Sequence, residues 1–377
     1  MSEAGAATCA AFVCTNCGRP HPSAGNPYRC PHCGGLFDYA NPLEYQPLTM
    51  PAEPTRGLER YRTTFPLSAD APFVSLGEGG TPLVPFRLQD RTIYAKCEHL
   101  NPTGSFKDRG TAVLVSVLAA DGITEAVEDS SGNAGASFAA YAARAGIQAK
   151  VFVPDDAAGP KRAQIESYGA ELVRILGPRS AATEAVLRQV ENGAFYASHA
   201  YLPHGLAGMA TIAFEIYEQL GTVPGAVIAP VGQGTLYLGA YRGFLALQQA
   251  GRIDHLPKMI AVQAMACAPI WAVQAGGATG LLWTKERPTM AEGIRILHPL
   301  RGDAVLDALS GSEGWAIAVD EPEIEDGWHQ LGQRGLFVEP TSAVVWPALL
   351  QAIDDLPDPI VIVLTGSGFK EPNAGQT

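Results

Sequence analysis

The stretch NPTGSFKDRG, residues 101–110, sets one lysine, Lys107, among Gly, Ser and Thr directly after the strand-like run TIYAKCE. A solvated surface lysine needs no such setting, whereas an amine that must reach a bound carbonyl compound does. Three other loops that follow apolar runs are unusual in the same way. In EDSSGNAGAS, residues 128–137, small residues free several backbone N–H groups at a helix start, which suits a carboxylate. In PVGQGTLYLG, residues 230–239, two glycines flank Gln233 between a strand and a helix, which suits a phosphate. LTGSGF, residues 364–369, follows the last strong strand.

Taken singly these loops are weak signals, because a Gly-rich turn between strand and helix is more often only a turn. Taken together they describe one site. The phosphate loop lacks the GK[ST] of a P-loop and the GxGxxG with a distal acid of a dinucleotide fold. A phosphate carrier with an electrophilic carbon, met by Lys107, is the natural ligand. Pyridoxal phosphate fits that description: its aldehyde forms a Schiff base with lysine and its ring accepts electrons from a substrate carbanion.

A second chemistry lies near the start. CTNCGRPHPSAGNPYRCPHC, residues 14–33, holds two CxxC pairs, Cys14 with Cys17 and Cys30 with Cys33, each able to form a tight knuckle. Four thiolates at this spacing predict a closed tetrahedral zinc site, structural rather than catalytic since no position is left for substrate. His21 and His32 are then dispensable as ligands. Cys9, Cys97 and Cys267 have no partner spacing and read as buried small hydrophobes.

The elements that must position these groups follow from periodicity. Apolar runs (TIYAKCE, AKVFVP, AELVRIL, GAVIAPV, KMIAVQA, WAIAV, PIVIVLT) alternate with amphipathic stretches, which predicts parallel sheet covered on both faces. Ligands of such sheets lie beyond the carboxyl ends of the strands, where the four loops fall. Residues 41–75, rich in Pro, Thr and Arg without a sustained period, read as an extended linker arm. With 377 residues, 47% hydrophobic and 17% charged, the chain can bury a large core. A net charge of -12 argues against nucleic acid or an anionic membrane surface as partner. The opening residues lack a secretory pattern and no window is long and apolar enough for a membrane helix, so a cytoplasmic protein acting on a small molecule is expected.

The ordered set GEGGTPL, NPTGSFKDRG, SSGNAG, PVGQGT, VEPTSA, LTGSG resembles the pyridoxal-phosphate enzymes of the tryptophan synthase β-subunit fold, and within them the threonine synthase-like group, over residues 60–370. That group also includes proteins with an N-terminal four-cysteine zinc ribbon. The resemblance implies an α/β fold of two open twisted sheets with helices on both faces behind a ribbon at residues 1–40. The catalytic body would run over 76–377, a smaller lobe at about 100–205 being inserted in the larger. By the same resemblance Lys107 is the Schiff-base lysine and later the proton-transfer group. Asn133 would meet the cofactor's ring hydroxyl, and Gly232, Gln233, Gly234, Thr235 and Leu236 would wrap its phosphate. Ser131 and Gly132 would hold the substrate carboxylate. Thr365 would meet the pyridine nitrogen; a hydroxyl there does not enforce a protonated ring, which favours elimination and replacement over transamination. Glu339 and Ser342 are family-shaped too, though a helix N-cap explains EPTSA equally well. A homodimer would be unsurprising.

The substrate half departs from the pattern. Where threonine synthases, which act on O-phosphohomoserine, carry a segment resembling NSxNPxRxEGQKT, this chain reads HAYLPHGLAGMAT, residues 199–211. His199, Ala200 and Gly205 replace Asn, Ser and Arg, and Gly cannot supply the bidentate contact an Arg makes to phosphate. The threonine of the family's STGNT is Ala134 here, in the substrate loop. His199 and His204 are candidates to replace the lost contacts or to act as acid–base groups. Lys161, Arg162 and Arg295 are further anion-binding candidates. The expectation is a lyase that removes an α-proton and eliminates or replaces a β- or γ-substituent on a small L-amino acid. The rivals are threonine synthase proper, a serine- or threonine-type dehydratase, and a non-catalytic protein whose ribbon binds a partner.

Overall fold

The continuous apolar runs form strands covered on both faces, as parallel sheets require. The structure is a computed structural model and describes residues 11–22, 25–48, 57–155, 159–177 and 179–371. These fall into two units, one drawn from residues up to 79 with 107–208, the other from 80–106 with the residues from 209 onward.

In the first unit, β1 (Phe12–Cys14) and β2 (Phe37–Tyr39) make a small antiparallel ladder. Strands β5 (Glu125–Glu128), β6 (Gln148–Pro154), β7 (Glu171–Ile175) and β8 (Phe195–Tyr196) form a parallel sheet in the order β7-β6-β5-β8. Helix α1 (Lys107–Ala120) leads into β5, and α2 (Asn133–Ala145), α3 (Pro160–Ser167) and α4 (Arg179–Glu191) connect the strands in turn. α2 ends because Gly146 takes the left-handed conformation at φ 73°, and α3 starts on a proline whose missing N–H costs a first-turn residue nothing. Val115, Ala136, Tyr141, Val151 and Ile165 pack in the core of this unit. The stretch expected as an extended arm carries a 3₁₀ helix over Gly57–Thr64, with Leu58 and Tyr61 fully buried.

The second unit holds a six-stranded sheet in the order β11-β10-β9-β12-β4-β3. Its strands are β3 (Leu83–Leu88), β4 (Arg91–Lys96), β9 (Ala226–Pro230), β10 (Lys258–Ala264), β11 (Ala316–Val319) and β12 (Ile360–Val363). All are parallel except β3, which returns antiparallel to β4 through Gln89 and Asp90. A two-residue link permits only that pairing, and Gln89 at φ 53° makes the turn. Its helices include α5 (Gly205–Leu220), which starts in the first unit's share of the chain, α6 (Thr235–Gln249), α7 (Pro269–Gly276), α8 (Gly302–Gly311), α9 (Glu321–Gln333), α10 (Pro340–Ala343) and α11 (Val345–Ala352).

At the end of β4, Lys96 Nζ lies 2.6 Å from Glu215 of α5 and also donates to the Thr81 carbonyl and to Gln219. The other Glu215 oxygen accepts the Gly80 N–H. Both charges are buried, and the added hydrogen bonds are what make such a pair tolerable. The GGTPL turn is thereby fixed to α5. Among the described residues no helix is long and apolar enough to cross a membrane.

Candidate active site

In the second unit β9, β12 and β4 are neighbours, so the loops that leave their carboxyl ends share one edge of the sheet. The loops after β4 and β12 are zipped by backbone bonds. His99 N–H donates to the Leu364 carbonyl, Phe106 N–H to the Thr365 carbonyl and Ser367 N–H to the Gly104 carbonyl, each at 2.9 Å. The residue after Phe106 is Lys107, half-buried at the first position of α1. Thr365 is buried, its hydroxyl 2.9 Å from that of Ser342 on α10, and Ser342 Oγ also accepts the Gly366 N–H at 2.8 Å. Glu339 precedes α10 but makes no side-chain cap. Its buried carboxylate lies against Gly366, where a Cβ would come within 2.2 Å of it. The VEPTSA segment thus braces the turn after β12 and does not cap the helix through its Glu339 side chain.

The loop after β9 is built for close approach. Gly234 adopts φ 87°, which turns the chain into α6, and a Cβ on Gly232 would press on the Gly293 carbonyl and Ile294 at 3.1 Å. The first N–H groups of α6, from Thr235 and Leu236, have no carbonyl one turn back and add to the positive end of a 15-residue helix. Gln233 is anchored, its side-chain oxygen accepting the Leu300 N–H at 3.1 Å. Backbone donors around glycines, at the start of a helix, fit a phosphate.

In the first unit β5 runs into residues 129–132 and then α2, with Asn133 as its first residue, Ala134 buried as its second, and Ser131 and Gly132 half-buried before it. Gly135 makes the turn tight: a Cβ there would lie 1.8 Å from the Ser130 carbonyl oxygen. Ser137 donates to Asp108 at 2.7 Å and so ties α2 to the residue next to Lys107. Lys107 and Asn133 thus open two helices held together by a buried bond, with the 129–132 loop leading into the second.

β8 lies beside β5, and the Ala197 N–H donates to the Val127 carbonyl. This sets His199 at the end of β5, its Nδ1 2.8 Å from Glu128 Oε1. The Glu128 side chain is 1% exposed and that of His199 25%. The next acid, Asp129, is taken separately by the hydroxyls of Tyr196 and Thr183, both at 2.8 Å. Glu128 and Asp129 were not among the sequence candidates, and two consecutive acids closing an apolar strand were the available signal. His204 separates from His199: its buried ring packs edge-on to Phe12 at 4.6 Å, and burial pushes its pKa down to about 3. It is a neutral core histidine. Arg162 and Arg295 sit beside Glu166 and Glu286, at 3.8 and 3.6 Å. Lys161 is half-buried on α3.

The two CxxC knuckles repeat one geometry. The Gly18 N–H reaches back to the Cys14 carbonyl and the Gly34 N–H to that of Cys30, with both glycines left-handed at φ 70° and 72°. Cys14 Sγ lies 3.5 Å from Cys33 Sγ, and Cys17 Sγ 3.8 Å from Cys30 Sγ, all four within 4.8 Å of one another. A tetrahedron with Zn–S bonds of about 2.3 Å has edges of about 3.8 Å. The four sulfurs therefore fit a zinc ion. His21 is turned away, its two ring nitrogens near the carbonyls of Pro22 and Pro27, and His32 is exposed. Cys97 and Cys267 are buried, as small hydrophobes are, and Cys9 lies outside the described residues.

Comparison with known proteins agrees with this geometry. Residues 74–366 match the family described as pyridoxal-phosphate dependent enzyme. A threonine synthase of Methanocaldococcus jannaschii is 35% identical over 96% of this chain and 93% of its own length. One from Synechocystis sp. is 36% identical over 84% of each. Among solved structures, a threonine deaminase of T.th. superposes with a TM-score of 0.64 at 28% identity, covering 76% of this chain and 92% of that one. Maize serine racemase shares the fold, with a TM-score of 0.65 at 23% identity over 76% and 88%. Match length and relatives agree, and the chain belongs to the pyridoxal-phosphate dependent enzyme family, as a threonine synthase-like lyase.

Proposed function

We propose that this lyase removes the α-proton of a small L-amino acid and eliminates or replaces its β- or γ-substituent, with Lys107 as the proton-transfer group. The observation that carries the reading is the half-buried Lys107 at the start of α1, one residue after the Phe106 bond to the Thr365 carbonyl. When bound, pyridoxal phosphate supplies an electrophilic aldehyde and an electron-accepting ring. Lys107 Nζ would hold the aldehyde at rest, and as a freed amine it takes the α-proton. The Gly232–Leu236 loop would hold the phosphate, and Asn133 the ring hydroxyl. Thr365, already paired with Ser342, would offer the ring nitrogen a hydroxyl rather than a carboxylate and so would exert no strong pull toward protonation. Ser131, Gly132 and their neighbour Ala134 would receive the substrate carboxylate, and His199 the side-chain substituent. Zinc on Cys14, Cys17, Cys30 and Cys33 has a structural role, since all four positions are filled by sulfur. A homodimer in the cytoplasm completes the reading.

The same chemistry on O-phosphohomoserine is the second reading, favoured by the relatives named threonine synthase at 35% and 36% identity. One experiment separates them. The cofactor-loaded protein is given O-phosphohomoserine, L-serine or L-threonine while phosphate, threonine and oxo acid are followed, with Lys107→Ala as the blank. Lysine-dependent phosphate and threonine from the first substrate identify a threonine synthase. Oxo acid from the others identifies a dehydratase, and a protein that absorbs no visible light and turns over none of them is not a pyridoxal enzyme.

A further inference from the structure

We propose that His199 and Glu128 form an acid–base pair whose work is to protonate a departing hydroxyl, which makes the substrate a β-hydroxy amino acid of the serine or threonine class. The proposal rests on the lyase reading above and deepens it.

Three observations converge on the pair. The first is place: Glu128 is the last residue of β5 and His199 stands three residues beyond the adjacent β8, so the pair sits at the carboxyl edge of a parallel sheet. The loop that Glu128 opens continues through Ser131 and Gly132 into α2. The second is burial. The carboxylate is 1% exposed and pinned 2.8 Å from Nδ1, while the imidazole side chain keeps 25% of its surface. A buried carboxylate holding one nitrogen of a histidine fixes the tautomer, so the proton that can be exchanged is the one on Nε2. The third is the neighbouring acid. Asp129 ties this loop to Tyr196 and Thr183, so a structural carboxylate is already in place and Glu128 duplicates none of its bonds. For stability alone an apolar side chain would serve as well as a carboxylate buried in this way.

Charge decides the leaving group. An imidazolium beside a carboxylate is a neutral unit, a poor anchor for a dianionic phosphate and a suitable donor to a neutral hydroxyl, which cannot leave without a proton. In the step, Lys107 Nζ takes the α-proton and the Cα–H electron pair ends in a Cα=Cβ bond. The Cβ–O bond breaks with its pair on oxygen, and that oxygen takes the Nε2 proton and departs as water. His199 regains a proton from solvent before the next turnover. No oxidant or reductant is needed.

Leaving-group dependence tests the proposal. Wild type, His199→Gln and Glu128→Gln, all full-length and cofactor-loaded, are assayed with L-serine, L-threonine and β-chloro-L-alanine, whose chloride leaves without a proton. If His199 is the acid, His199→Gln loses about 10²- to 10³-fold in kcat with the hydroxy substrates and less than about tenfold with the chloro compound. Glu128→Gln, which keeps a hydrogen bond but not the charge, repeats the pattern with a smaller loss, marking it as a positioning residue. Equal losses on both substrate types, with the visible absorption unchanged, overturn the acid role. Wild type that turns over only the chloro compound overturns the hydroxyl assignment while sparing the lyase reading. Wild type that shows no visible absorption and no turnover overturns both.

Discussion

Ser342 Oγ stands 2.9 Å from Thr365 Oγ1 and accepts the Gly366 N–H at 2.8 Å, so one hydroxyl from α10 organises the whole turn after β12. Ser342→Ala removes the acceptor and leaves the buried Gly366 N–H without its partner. We expect a loss of about 1–3 kcal/mol in chemical denaturation, together with weaker cofactor retention on dialysis, followed by visible absorption. Unchanged stability and retention would show that the turn holds itself.

Lys107→Ala puts a good helix former at the first position of α1, so the fold should be spared. Turnover should fall by at least about 10³-fold and the visible band given by a lysine-held aldehyde should vanish. Circular dichroism and thermal melting serve as the control for folding.

Gly135→Ala has a sign that geometry sets against propensity. Alanine in a helix interior normally stabilises by about 1 kcal/mol relative to glycine. Here the new methyl would sit 1.8 Å from the Ser130 carbonyl, so the 129–132 loop must move. We expect net destabilisation and a raised KM. A more stable, fully active variant would mean the loop is looser than described.

Burial of His204 predicts an acid limb in stability. With its pKa lowered from 6.5 to about 3, the folded chain refuses a proton that the unfolded chain accepts. The contribution is fully present above pH 6.5 and is lost as pH falls from there toward 3. Between pH 7 and 5 the loss is about 2 kcal/mol from this group. His204→Leu should flatten that part of the curve, leaving the smaller contributions of His21 and His99, whose pKa values burial also lowers.

Removal of the proposed zinc should be felt at residues 196–206. Tyr39 donates to the His204 carbonyl, Arg29 donates to the Tyr201 hydroxyl, and Tyr28 meets Tyr196 and Tyr201 edge-on. Chelation is expected to lower hydrogen-exchange protection over residues 196–206 by on the order of 1 kcal/mol. Protection that is unchanged after complete metal loss would show the ribbon to be an independent module.

Much of this was legible in the chain because apolar runs and glycine-flanked loops report local conformation. The parallel strands, the start of α2 beside SSGNAG and the four-sulfur cluster are all short-range features. β3 escaped because an edge strand joined by a two-residue link obeys the link rather than the sheet. Glu128 escaped for another reason: its partner is 71 positions away, and nothing local distinguishes an acid that will be buried from one that will be solvated. Lys96 and Glu215, 119 positions apart, were hidden likewise. Ser342 was visible only as part of an ordered motif set, since its hydroxyl meets a turn 23 residues on.

The strand order carries a consequence for synthesis on the ribosome. β12 fills the gap between β9 and β4, so the sheet's middle rung is made long after its neighbours. Arg91 at the start of β4 grips Asp358 just before β12, a separation of 267 positions. Until that rung arrives, β4 and β9 each present an unpaired apolar edge, the kind of surface on which nascent chains stick to one another. The sheet can close only once β12 has been made, well over a hundred residues after β9, and until then those two edges must be kept from pairing with the wrong strand.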